Sequence, residues 1–157
     1  MTGSLGEMND LERLLAERAC ERLMVDYARA VDSGRASAIA DLFTVDGVWT
    51  GDDGRAFDGQ DAIRAAFVRR QARTARVSRH VITNVSVDIA DDATANGHAL
   101  LINYRHDRSE GTGDGPIAAR QPKFVGDYHL TFAAPGGTWR IRSLRFELAF
   151  LRGHEPA

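Results

Sequence analysis

His80 and Asp32 are the side chains whose types best suit proton transfer. His80 stands near the start of an alternating run, from Ser78 through Val81, Asn84, Val85 and Val87 to Ile89. Histidine is the one side chain whose ordinary pKa lies near neutrality, which suits a general base or acid. Asp32 closes a helical stretch that begins upstream of Leu23. An ionised Asp beside an imidazole fixes its tautomer and stabilises its protonated form, so the two residues read as an acid/base dyad. Each also has a structural reading. His80 could be a core or interface histidine with a satisfied ring, and Asp32 a turn residue or the cap of the next helix. A carboxylate at a helix C-terminus faces the negative end of the dipole, so something must offset it.

Tyr27 lies five residues before Asp32, about 140° away around an ideal helix. It is either a proton donor and carbonyl polariser or an aromatic of the helix's apolar stripe. Trp49, Phe67, Phe124, Tyr128 and Phe146 are expected walls of a substrate pocket, and Asn103 and Arg145, on late strands, are expected to point into it. All of these could instead be core or surface residues. His98, His106 and His129 are scattered on strands without carboxylates at ligand spacing, so no metal site is expected. No phosphate-binding glycine motif leads from a strand into a helix, and no nucleophile elbow occurs. The chemistry expected is therefore cofactor-independent.

The elements that must position these residues are legible from pattern. Asn9 with Glu12 forms a capping box, and the spacing of Leu11, Leu15, Ala19, Leu23, Tyr27 and Val31 predicts a helix over 11–31 with an apolar stripe. Gly34 permits a left-handed exit. A short helix is expected over 36–43, a strand over 48–50 with a hairpin return at 55–57, and a third helix over 60–73. From Val77 the period changes to two, which predicts four long strands over 77–89, 94–106, 124–132 and 139–151. The loop 109–121 is a possible lid. Helices first and antiparallel strands after them make an α+β fold. The simplest packing is a cone-shaped barrel, a strongly curved sheet folded around the first helix with a pocket at its open end. Such pockets take small apolar ligands held by a few polar groups.

The 157 residues predict one domain over 9–152 after a frayed tail at 1–8. Twenty Lys and Arg against 22 Asp and Glu leave no basic footprint for nucleic acid. A lone cysteine, Cys20, excludes an intramolecular disulfide. No apolar run approaches the ~18 residues of a membrane span, and the N-terminus lacks a signal-peptide pattern. A cytoplasmic protein without membrane partners is the expectation.

The stretch from Tyr27 to Gly34, then Ile39 to Trp49, Gly59 to Ile63, Arg79 to Asn84, Gly126 to Tyr128 and Trp139 to Ile141, resembles in order the SnoaL-like branch of the nuclear-transport-factor-two-like superfamily. The resemblance spans roughly residues 9–150. It implies the cone-shaped, cystatin-like barrel, and the nearest mechanistic likeness is to scytalone dehydratase, bile-acid 7α-dehydratase and lindane dehydrochlorinase. By that likeness His80 removes a proton, Asp32 orients it and Tyr27 assists. The implied activity is a lyase or isomerase acting on a small hydrophobic, polycyclic or aromatic substrate. Two alternatives stay open: a non-catalytic binding or assembly domain like the small subunit of ring-hydroxylating dioxygenases, and a polyketide cyclase or hydrolase. The resemblance also implies a homo-oligomer, dimer or trimer, through the outer sheet face.

Overall fold

A computed structural model describes residues 8–108, 113–118 and 120–153. The first helix, α1 (Asp10–Asp32), starts at the capping box: the Asn9 side chain accepts from the Glu12 N–H at 3.0 Å, and Glu12 accepts from the Asn9 N–H at 2.9 Å. Its buried stripe runs from Ala16 through Cys20, Leu23, Met24 and Tyr27 to Val31. The expected stripe began earlier, but Leu11 and Leu15 are 64% and 61% exposed. The reason is the reach of the sheet. Arg13 already bonds the carbonyl of Ile89, the last residue of the strand under α1, so the first turns run past its end.

A 3-10 segment (Ala36–Leu42) leads into β1 (Phe43–Thr50), which turns back as β2 (Ala56–Asp58). Helix α2 (Gln60–Gln71) follows, then the long strands β3 (Arg76–Ile89), β4 (Thr94–Asp107), β5 (Phe124–Ala133) and β6 (Arg140–Leu151). They form one open, mainly antiparallel sheet in the order β2-β1-β6-β5-β4-β3. The expected α+β cone is the fold observed. The parallel pairing of β1 with β6 was not foreseen, and it makes β1 longer than the three residues expected, because the last strand supplies its partner.

Irregularities in the sheet decide which side chains face inward. Strict alternation from His80 would send Val87 and Ile89 to the opposite face. The β3–β4 register shifts between Thr83 and Ser86, and Asn84 takes φ 50°, a left-handed conformation that Asn tolerates. This bulge switches parity, so Ser78, His80 and Ile82 face inward on one side of it and Val87 and Ile89 on the other. A Cβ on Gly126 would run into the Glu147 carbonyl and the Phe146 ring, so only glycine lets β5 and β6 lie this close beneath the cavity.

On the outer face, Val81, Ile102, Val125 and Phe150 stand in one cross-strand row over four strands, with Phe150 72% exposed. This is the face the expected homo-oligomer would use. The expected lid, 109–121, falls in part outside the described residues, as does most of the expected tail. No helix among the described residues is long and apolar enough to cross a membrane.

Candidate active site

Asp32 ends α1 with its carboxylate turned onto the first residues of β3. His80 Nδ1 lies 2.6 Å from Asp32 Oδ1, and the His80 backbone N–H donates to Oδ2 at 2.7 Å. The Ser78 hydroxyl donates to Oδ1 at 2.9 Å and itself accepts from Arg70 at 3.1 Å. These donors answer the unfavourable helix dipole at this position. Burial pushes the Asp32 carboxyl up, but the His80 ring, its backbone N–H and Ser78 together outweigh it and hold the pKa below the usual carboxylate value. An ionised carboxylate only accepts, so the proton of the short contact sits on His80 Nδ1. In the neutral ring, the lone pair is then on Nε2.

His80 lines a cavity of about 500 Å³ at the open end of the cone. Asp32 stands behind it and does not line the cavity itself. Tyr27 also lines the cavity, so the turn of helix between it and Asp32 does not keep it out. Its hydroxyl accepts from Trp49 Nε1 at 3.0 Å. Burial drives its pKa up to about 12 against the opposing hydrogen bonds of Trp49 and Tyr128, so the phenol stays protonated at neutral pH. Tyr27, Phe67 and Trp49 meet edge to face, with ring centroids 6.0 Å apart in each pair with Phe67. Phe124 and Tyr128 complete the aromatic wall against Phe146.

Asn103 lies on the inner face of β4, directly opposite His80 in the β3–β4 register and Phe124 in the β4–β5 register. It is 0% exposed, and neither its Nδ2 nor its Oδ1 has a hydrogen-bond partner. Arg145 is the correction. It was expected to point into the pocket, but it is on the outer face, paired with Glu147 at 2.8 Å and with a side chain 51% exposed. Leu144 and Phe146 on either side of it face inward, and alternation along β6 forces Arg145 outward.

Three contributors were missed by the sequence reading: Ser78, Arg70 and Arg105. Ser78 had a usable signal, since it sits two residues before His80 and therefore on the same strand face. The arginines had none, because their convergence depends on how α2, β3 and β4 end together. Among the described residues no group of three His, Cys, Asp or Glu could hold a metal ion.

Comparison with known proteins places this geometry in context. The family model for the SnoaL-like domain matches residues 12–145. No curated protein matches the chain. Among solved structures, a candidate scytalone dehydratase from Novosphingobium aromaticivorans aligns with a TM-score of 0.76 at 20% identity, over 93% of this chain and 92% of that one. The hexachlorocyclohexane dehydrochlorinase LinA-type3 from Novosphingobium barchaimii aligns with a TM-score of 0.73 at 15% identity, over 92% and 93%. An NTF2-like protein with a cystatin-like fold, also from Novosphingobium aromaticivorans, gives 0.69 at 24% identity, over 87% and 84%. At these identities the structural likeness is one of fold.

Proposed function

Because this chain belongs to the SnoaL-like domain family, whose fold hosts many activities, we propose from its site that it is a cofactor-independent lyase or isomerase. The observation that carries the reading is the 2.6 Å Asp32–His80 contact with His80 on the wall of an open cavity. His80 Nε2 takes a proton from a carbon next to a carbonyl, or from one anti to a leaving group. Asp32 holds the ring and stabilises the imidazolium that forms. The Tyr27 hydroxyl, neutral at working pH, polarises the substrate oxygen or protonates the departing one. Asn103, beside His80, donates its amide N–H to the oxygen on which charge develops. A positioned base contributes about 10²–10⁴ in rate, and a preorganised donor at the developing oxyanion about 10²–10³ more.

A purely structural module would have its cavity filled by Trp49, Phe124 and Phe146. Here those rings line the space and leave it open, which favours a ligand. The test is a panel of aromatic ketones and β-hydroxy ketones in D₂O, followed by NMR for exchange next to the carbonyl and by absorbance for the conjugated product. Turnover that falls by about 10²–10⁴ in His80→Gln supports the reading. Turnover that is absent throughout, or equal in the variant, rejects it.

A further inference from the structure

The cavity that holds His80 is lined by seven cationic side chains and one carboxylate, Asp52. The whole chain carries 20 Lys and Arg against 22 Asp and Glu, so this excess is local. Part of it has a local account. Arg70 lies in the last turn of α2, and Arg73 just beyond it, where the helix dipole favours cations. Arg76 pairs with Asp107 at 2.9 Å, and Arg55 with Asp53 at 2.6 Å.

Arg105 has no such account. It is half-buried on the inner face of β4, two residues beyond Asn103 and directly across from Ser78. Among the described residues its guanidinium forms no ion pair. Burial, and then the charge of Arg76 ahead of those of Arg70 and Arg73, pulls its pKa below the ordinary arginine value, with Asp107 opposing. A guanidinium drawn partly out of water among like charges costs free energy unless an anion offsets it. Sites that break the local rules in this way are where ligands act.

We propose that the cavity takes an amphipathic anion, with an aromatic body against the ring-lined interior and a carboxylate or phosphoryl group held by Arg105. Lys123 and Arg73, which also line the cavity without an ion pair among the described residues, add to the field. The spacing suits one molecule. Arg105 and Asn103 are one same-face step apart, about 7 Å along the strand. A headgroup on Arg105 therefore leaves the adjoining body to pass Asn103 and His80. This names the substrate class of the reading above and rests on it for the role of the cavity.

The test is calorimetric titration of the full chain with 2-naphthoate, 2-naphthyl phosphate and neutral 2-naphthamide. The expected result is that at least one anion binds about 10- to 100-fold more tightly than the amide, and the tighter anion identifies the headgroup. Added salt should narrow that margin. Arg105→Met should abolish the margin while the amide still binds, and it removes a half-buried charge that has no ion pair among the described residues, so it should fold. An amide that matches both anions overturns the proposal, and so does a margin that survives in Arg105→Met or is indifferent to salt. The two readings fail separately. Anion preference without exchange or elimination chemistry rejects only the catalysis, and turnover without anion preference rejects only the anion site.

Discussion

Asn103 stands directly opposite His80 across the β3–β4 pair, and its buried amide has no partner on either polar atom. On the proposed mechanism, the position that is costly in the free protein is also the one from which a donor would reach an oxygen beside the carbon that gives its proton to His80. Stability and function are therefore opposed at one residue.

That opposition predicts the behaviour of Asn103→Leu, which keeps the branched heavy-atom skeleton and deletes both orphaned polar atoms. Relief of an unsatisfied buried amide is worth about 1–3 kcal/mol, which for a chain of this size raises the melting temperature by roughly 2–4 °C per kcal/mol. Activity should fall by about 10²–10³. Thermal denaturation and the elimination assay check both arms. A variant that is less stable and fully active would show that the amide serves packing alone.

Asp32 predicts an acid limb in the stability curve. Its folded pKa is held below the ordinary carboxylate value, so the unfolded chain binds the proton more tightly. The stabilisation is present above the unfolded value of about 3.9 and is lost as pH falls through the lower folded value. Urea titrations across that range should show Asp32→Asn losing less stability on acidification than the parent. Equal slopes would mean that the carboxylate gains nothing from His80 and Ser78.

Tyr27 predicts the opposite limb. Burial raises its pKa to about 12, against about 10 for an unfolded tyrosine. Its contribution is complete below the unfolded value and is lost as pH rises through the folded one. Tyr27→Phe should therefore be less alkali-sensitive between those values, measured by denaturation at fixed pH steps. Its activity should drop without any change in the acid limb, because the hydroxyl acts as a neutral donor.

What the sequence made legible follows from period and residue type. The capping box at Asn9 and the period of two after Val77 rest on local rules that the tertiary structure did not override, whereas the pairing of Asp32 with His80 was expected from their residue types and from the family resemblance. What it hid depends on events between strands. The bulge at Asn84 moves Val87 and Ile89 to the His80 face, and nothing but a single Asn marks it. Arg145 and Phe146 are neighbours on one strand and cannot both face the cavity, so alternation alone could have removed Arg145. The cationic lining was invisible because its members come from α2, β3, β4 and the loops between elements, and the near-neutral composition averages them away.

Ser78 supplies the most discriminating test of how the dyad is held. Its hydroxyl is the link between Arg70 and the Asp32 oxygen that also meets His80 Nδ1. In Ser78→Ala the carboxylate loses one charge-assisted hydrogen bond, worth about 1.5–3 kcal/mol, but keeps the His80 backbone N–H and ring. The imidazole should remain in the same tautomer but be less firmly aimed. The expected outcome is a fall of about tenfold in kcat with KM little changed, the pattern of a contact that strengthens in the transition state. Proton NMR separates this from general loosening. A downfield Nδ1–H resonance from the short contact should be present in the parent, persist in Ser78→Ala and vanish in Asp32→Asn. If KM rises and kcat holds, Ser78 shapes the pocket instead of positioning the base.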